Sequence, residues 1–93
     1  MISLESRLTL AGKARLRLDR KSGHYMLLYP EKGMRLNATA ADIVQLCTGE
    51  HTVAEIIERL AAKYAAQPRT AIEKEVLTFL EALSERMLVC TET

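Results

Sequence analysis

Few residues in this chain have types and spacings that suit catalysis or metal binding. The sequence contains two histidines, His24 and His51, and two cysteines, Cys47 and Cys90. Catalysis or metal binding would require a nucleophile, a carboxylate or a second ligand at close spacing, and neither histidine has one. Gly-rich phosphate loops and nucleophile elbows are also missing from the sequence. We therefore expect no catalytic residue, no metal site and no cofactor, although a Cys47–Cys90 disulfide stays open.

Length and composition indicate one small domain. The chain has 93 residues, 48% of them hydrophobic, and a net charge of +1. That apolar content suffices for a modest core, so we expect a single domain over residues 1–93, with residues 1–13 as a partly ordered arm. The near-neutral charge gives no general attraction to nucleic acid or to anionic membranes. Without a signal-peptide pattern or an apolar run of about 20 residues, we expect a cytoplasmic protein.

The first third of the chain predicts three strands in a meander. Alternating apolar and polar residues from Ala14 to Asp19 indicate a half-buried strand, and Gly23 suits the hairpin that follows. His24–Tyr29 is apolar on both faces, which is typical of a central, covered strand. Pro30–Gly33 has the composition of a turn, and Met34–Leu36 then forms the third strand.

Capping signals predict the first two helices. Asn37 is a good N-cap for a helix that runs to about Cys47, and Gly49 suits its C-terminal stop. Thr52-Val53-Ala54-Glu55 is a capping box that opens a second helix. The apolar stripe of this second helix has helical spacing: Val53, Ile56, Ile57, Leu60 and Tyr64.

A second capping box, Thr70-Ala71-Ile72-Glu73, predicts a third helix that extends to about Arg86. Its predicted apolar stripe comprises Ile72, Val76, Phe79, Leu80, Leu83 and Met87. Leu77 lies beside this stripe, among Glu73, Glu81 and Ser84. Together these elements predict an α+β domain of winged-helix type, in which a three-stranded antiparallel sheet is followed by three helices.

Two binding functions compete on this fold. A winged-helix nucleic-acid-binding module would place a helix in the DNA major groove. The third helix carries Glu73, Glu75, Glu81 and Glu85 against Lys74 and Arg86, and such a face is repelled by phosphates.

Peptide capture is the alternative, because an outer strand offers unpaired N–H and C=O groups to an extended peptide. The third strand is the less guarded edge, since it carries only Arg35 between Met34 and Leu36, and Leu77 has no obvious core role. On spacing alone a different interpretation is equally good: Leu77 widens the core face, and the N-terminal arm covers the edge. Self-association of two copies through the same edge, giving a homodimer, is a further possibility.

The residues also resemble the PqqD family, the pyrroloquinoline quinone biosynthesis protein D. The resemblance covers about residues 8–90 and rests on ordered segments rather than on one motif. These segments are Leu27-Leu28-Tyr29-Pro30-Glu31, Leu36-Asn37-Ala38-Thr39-Ala40 with Ile43, Leu46-Cys47 with Gly49, Thr52-Val53-Ala54-Glu55-Ile56 with Leu60 and Tyr64, and Glu85-Arg86 with Leu88-Val89. The chain departs from the family at Tyr25, where many members have Trp, at Met87, where Gly is common, and at Gly12, where a Pro-containing turn is frequent.

The resemblance implies a peptide chaperone rather than an enzyme. Members of the family bind the precursor peptide PqqA and present it to the radical S-adenosylmethionine enzyme PqqE. In related recognition domains the leader peptide adds as a strand to the third strand and rests against the third helix. Carried onto this sequence, that mode implies these peptide-binding residues: Met34, Arg35, Leu36, Asn37, Glu73, Leu77, Leu80, Glu81 and Ser84.

Overall fold

Two antiparallel sheets of three strands each and three helices make up the computed structural model of the chain, which describes residues 2–30 and 32–92. In chain order the elements are β1 (Arg7–Leu10), β2 (Arg15–Asp19), β3 (His24–Tyr29), β4 (Lys32–Leu36), α1 (Ala38–Gln45), β5 (Thr48–Thr52), α2 (Val53–Lys63), α3 (Arg69–Glu85) and β6 (Val89–Glu92). No helix within these described ranges is both long enough and apolar enough to cross a membrane.

The predicted meander is present in the order β2-β3-β4, with β3 at its centre. Gly23 has a positive φ of 76° in the β2–β3 hairpin, as its position in the turn predicted. The predicted turn over Pro30–Gly33 is shorter than expected, because Lys32 and Gly33 already pair with β3 as part of β4. Of the two remaining turn positions, Pro30 is in a turn and Glu31 lies outside the described residues.

The second sheet was not predicted, and the expectation of a single sheet was wrong. Its order is β5-β1-β6. Arg7–Leu10 forms its central strand, where the sequence had indicated only a partly ordered arm. Each strand is only four or five residues long, and it pairs with distant segments of the chain, as in the pairs Arg7↔Thr52 and Arg7↔Glu92. The α+β class with three helices is confirmed, whereas the winged-helix label stays a prediction.

The caps predicted for α1 and α2 are confirmed. The Asn37 side chain accepts a hydrogen bond from the backbone N–H of Ala40 at 2.8 Å. Thr52 and Glu55 form both bonds of the capping box, at 3.1 Å and 2.8 Å. The predicted stop of α1 was wrong: the helix ends at Gln45, and Gly49 uses its positive φ of 86° within β5 instead.

The start of α3 differs from the prediction. The helix begins at Arg69, one residue before the predicted capping box, and Pro68 is its N-cap. The Pro68 carbonyl accepts the first helical bonds, from Ala71 at 3.0 Å and Ile72 at 3.2 Å. Proline fits this position because it lacks an N–H that would otherwise stay unpaired. Thr70 therefore lies inside the first turn, where it caps nothing.

The core lies between the meander, the helices and the second sheet. It contains Leu27, Leu36, the stripe of α2 from Val53 to Leu60, and most of the predicted α3 stripe. Met87 is the exception, since it follows the end of α3 and is 71% exposed. Both thiols are free, with Cys47 buried and Cys90 exposed, so the disulfide alternative is excluded.

Candidate functional site

The outer edge of β4 is open within the described part of the chain. β4 pairs with β3 on one side, and β1, the strand of the N-terminal arm, belongs to the second sheet. The equally favoured interpretation that the N-terminal arm covers this edge is therefore wrong. The unpaired edge offers backbone donors and acceptors to an extended chain.

The register of the β3–β4 hairpin decides which backbone groups face outward. Tyr29 pairs with Lys32, so two residues connect the strands, and such a hairpin closes on a hydrogen-bonded pair. Bonded and non-bonded pairs alternate in an antiparallel ladder, so Met34 and Leu36 direct their N–H and C=O groups to β3. The corresponding groups of Gly33 and Arg35 face outward. Arg35 and Gly33 therefore leave their backbone N–H and C=O groups unpaired at the free edge.

The side chains of β4 lie on two faces. Leu36 is buried and Met34 half-buried against the core. Arg35 lies on the opposite face, where its Nη2 is 2.8 Å from Nε2 and 3.0 Å from Nδ1 of His24. His24 also contacts the Ser22 carbonyl at 3.0 Å through Nδ1. His24 is thus a strand histidine beside an arginine.

A groove opens between α1 and α3 at the end of β4. It has a volume of about 530 Å³, and Asn37, the residue directly after β4, lies at one end. Its walls are mostly apolar or small, with Lys74 and Glu75 as the charged members. The full lining is Asn37, Ala40, Ile43, Ala71, Lys74, Glu75, Thr78, Phe79 and Ala82. The groove can accept apolar side chains of a ligand that lies along β4.

The structure places the predicted α3 residues away from this groove. Glu73, Leu77, Glu81 and Ser84 lie on the other flank of the buried stripe, because a helix advances by about 100° per residue. Leu80 has no exposed surface and belongs to the core. Of the residues predicted for the site, Asn37 lines this groove. Arg35 and Leu36 line a different cavity, which Asn37 also borders. Glu73, Leu77 and Glu81 line a second surface of two smaller pockets on α3, and these pockets share Thr78 with the groove.

The predicted residues of α3 contact other parts of the protein. Leu77 packs partly against the core, and a side-chain oxygen of Glu81 accepts a hydrogen bond from the backbone N–H of Ile2 at 3.4 Å. The groove residues of α3 were missed by sequence reasoning, although a signal existed. Ala71, Thr78 and Ala82 are small and recur at helical spacing, which leaves room for a partner beside Phe79.

A polar cluster fixes the position of α1 relative to α2. Asp42 of α1 accepts hydrogen bonds from the Tyr64 hydroxyl at 2.6 Å and from Lys63 Nζ at 3.0 Å. The bond to Asp42 raises the pKa of the Tyr64 hydroxyl and also the pKa of Lys63. Because α1 forms one wall of the groove, this cluster helps to hold the groove open.

The described residues include few side chains that are suited to catalysis or metal binding. No group of three or more histidine, cysteine or acidic side chains within them could hold a metal ion. Burial raises the pKa of the Cys47 thiol to about 12. Its Sγ donates a hydrogen bond to the Ile43 carbonyl at 3.3 Å, so it remains a protonated core residue. The arrangement suits binding.

Comparison with known proteins identifies the family. The family described as Coenzyme PQQ synthesis protein D (PqqD) matches residues 24–89, well over half of the chain. The chain belongs to the PqqD family. This assignment confirms the resemblance on which the sequence-based prediction rested.

Curated relatives of this PqqD-family chain carry a functional name. One is the PqqA binding protein of Bradyrhizobium diazoefficiens, 36% identical over 91% of this chain and 82% of that protein. Another is the PqqA binding protein of Methylococcus capsulatus, 37% identical over 81% of this chain and 77% of that protein. These matches extend beyond the meander and cover most of the fold.

A solved structure shares the whole architecture. The NMR structure of the PqqD truncation of Methylobacterium extorquens PqqCD superposes with a TM-score of 0.79. It is 27% identical and covers 97% of this chain and 95% of the solved one. That protein is described as a functional, stand-alone recognition element for ribosomally synthesised and post-translationally modified peptides. The second sheet of this chain thus lies within the part that the solved PqqD structure matches.

Proposed function

We propose that this chain is a peptide-binding adaptor of pyrroloquinoline quinone biosynthesis, which binds the precursor peptide PqqA by strand addition to β4. The observation that carries the proposal is the open β4 edge, with the outward backbone groups of Gly33 and Arg35, beside the groove between α1 and α3. The names of the curated relatives support PqqA as the ligand.

Strand addition explains how affinity and selectivity arise together. The added strand pairs with the main chain of Gly33 and Arg35, which gives affinity for any extended segment. Every second side chain of the peptide then points to the side of the sheet where α1 and α3 lie. The groove accepts these side chains, so it selects peptides with apolar residues at alternate positions. Met34, Leu36 and Asn37 position this edge from the core side.

On α3, the proposed contact surface is the groove flank, which runs from Ala71 to Ala82. The flank of Glu73, Leu77, Glu81 and Ser84 is the competing proposal that the resemblance implied. The two flanks meet on the exposed side of α3, where Leu77 and Thr78 line two pockets together. Substitutions at these two positions therefore test which flank the peptide prefers. Leu80 acts through the core rather than by contact with the peptide.

The adaptor contributes position rather than chemistry. A peptide held on β4 has a fixed direction and a raised local concentration when the adaptor meets the modifying enzyme, PqqE. We expect modification of PqqA by PqqE to depend on this chain and to fail with variants that do not bind PqqA. Unaltered modification in the absence of the chain would contradict this role.

The decisive test is the affinity for synthetic PqqA of a variant that lacks one outward N–H. Arg35→Pro removes an edge donor without removing a bond to β3, and we expect it to weaken PqqA binding about tenfold or more. Leu18→Pro is the matched control, because its N–H faces outward on the opposite edge, that of β2, by the same alternation. Amide shifts in NMR should locate PqqA along β4 and α3.

If Arg35→Pro does not fold, strand addition can still be tested with a chemically modified PqqA peptide. PqqA that is N-methylated at alternate residues loses half of its strand donors while the protein stays unchanged. Weaker binding of one methylation register, and not of the other, is the expected result. Equal affinity of both registers and of unmethylated PqqA would overturn strand addition.

A further inference from the structure

The outer face of the meander is apolar at its centre and has no helix over it in the described part of the chain. Leu27 points inward from β3 and has no exposed surface. Met26 and Leu28 point to the opposite face, where they are half-buried and do not pack against the core cluster. The sequence predicted that both faces of β3 would be covered. Only the core face is.

Cationic side chains surround this apolar centre. Arg15 and Arg17 of β2 and Arg35 of β4 lie on the same face as Met26 and Leu28, by the register of the three strands. Arg20 and Lys21 extend the positive charge into the β2–β3 hairpin and are exposed.

Little negative charge balances these cations. Within β2, β3 and β4, the carboxylate of Asp19 is the one acidic group. Its two oxygens accept hydrogen bonds from the Lys21 N–H at 3.0 Å and the Ser22 hydroxyl at 3.1 Å. The Asp19 carboxylate therefore stabilises the β2–β3 turn. The face therefore carries a net positive charge that attracts an acidic partner.

The surface is also shaped for contact. Gly33 lies opposite Leu28, and a Cβ at position 33 would be only 3.0 Å from Leu28 Cδ2, so the Leu28 side chain lies flat against the β4 backbone. A shallow groove of about 860 Å³ runs along β2 and includes Met26 and Leu28 in its lining. An apolar centre within a charged rim is the usual anatomy of a protein–protein contact.

We propose that this outer face, defined by Arg15, Arg17, Met26, Leu28 and Arg35, docks an acidic surface of the enzyme that modifies the bound peptide. The inference rests on the proposed function, since it names the surface that would meet PqqE. It lies on the opposite side of the sheet from the groove between α1 and α3, so peptide and enzyme can be bound together. Arg35 connects the two, with its main chain on the peptide edge and its side chain on the outer face.

The charges and the apolar centre of this face argue against two other partners, a second copy of this chain and nucleic acid. A second copy of this chain, paired through the same face, would bring Arg15 and Arg17 against like charges, which a two-fold interface penalises. Nucleic acid would use the cations but would leave Met26 and Leu28 without an apolar partner. An acidic protein surface with apolar residues at its centre satisfies both parts of the face.

The test is a stepwise titration of the isotope-labelled full chain, first with PqqA and then with PqqE, at low and at high salt. With PqqE we expect amide shifts in β2 and β3, and an affinity that falls as salt rises. Arg15→Glu/Arg17→Glu should weaken PqqE binding about tenfold or more and leave PqqA affinity unchanged. Arg59→Glu/Arg86→Glu is the control, because it makes the same charge change at exposed positions elsewhere.

The outcomes separate this inference from the proposed function. If the unsubstituted chain does not bind PqqA, the proposed function itself is refuted. Normal PqqA binding, with PqqE affinity unaffected by Arg15→Glu/Arg17→Glu and by Met26→Thr/Leu28→Thr, would overturn the outer-face inference alone. Shifts of the same face with duplex DNA but not with PqqE would overturn it in favour of nucleic acid. A dimer in light scattering that Arg15→Glu/Arg17→Glu dissociates would overturn it in favour of self-association.

Discussion

The backbone N–H of Leu88 donates to the carbonyl of Leu83 at 2.9 Å, and this bond closes the C-terminus of α3. A second bond runs from the Met87 N–H to the Ser84 carbonyl at 3.0 Å. Together the two bonds form a Schellman motif, which requires a left-handed residue between the helix end and Leu88. Met87 occupies that position with φ of 60°. A residue with a Cβ thus adopts a strained backbone conformation at this helix end.

We expect Met87→Gly to raise the free energy of unfolding by about 1 kcal/mol, because glycine adopts this backbone conformation without a Cβ clash. The Met87 side chain is mostly exposed, so little packing is lost. Denaturant unfolding measures the effect. Arg86→Gly, at a neighbouring position with φ of −89°, should destabilise the protein instead. Destabilisation by both glycines would contradict the strain at Met87.

Two threonines that look alike in sequence should behave differently. Thr52→Ala removes the cap of α2 and should lower the free energy of unfolding by about 1 kcal/mol. Thr70→Ala should change it by less than about 0.5 kcal/mol, since Thr70 lies within α3 and caps nothing. Thermal or denaturant unfolding of the two variants, measured together, checks the difference. Equal losses would mean that the second capping box forms after all.

The two cysteines should differ in reactivity. In the native protein, Cys90 should react with a thiol reagent at once, whereas Cys47 should react only when the chain unfolds, because it is buried. Counting labelled thiols by mass spectrometry, with and without denaturant, measures this. Rapid labelling of both thiols in the folded state would contradict the buried position.

Cys47 should also make stability depend on alkaline pH. The folded state holds the Cys47 proton up to a pKa of about 12, whereas the unfolded chain releases it near the ordinary value of 9. The unfolded state therefore binds fewer protons between these values, and stability falls as pH rises from about 9 to 12. Cys47→Ala should show a shallower decline over this range than the unsubstituted chain.

Variants at two adjacent positions on α3 test which flank of the helix contacts the peptide. Thr78→Glu places a charge in the groove and should weaken PqqA binding about tenfold or more, equivalent to about 1.4 kcal/mol. Leu77→Glu places the same side chain on the other flank, beside Thr78 in two shared pockets, and should weaken binding less than Thr78→Glu does. Calorimetric titration of both variants, after circular dichroism confirms their folding, provides the measurement. The reverse order of effects would favour the Leu77 surface instead.

Local signals in the sequence determined much of this protein. The meander, the cap at Asn37, the capping box at Thr52 and the family could be predicted because each depends on residues close together in the chain. Strand alternation, turn glycines and cap side chains act within a few residues, so they need no knowledge of distant contacts. The proposal that β4 is the peptide-binding edge also started from such local signals.

Only the tertiary structure decided the rest. The second sheet exists because Arg7–Leu10 pairs with segments over forty and eighty residues away, and no local pattern reports such pairing. The outward groups on β4 follow from the register at Tyr29 and Lys32, which selects Arg35 rather than Met34. Which residues of α3 line the groove depends on how the helix is rotated about its own axis when its buried stripe packs against the core. Each depends on how elements pack against one another, and that packing is settled by the whole chain.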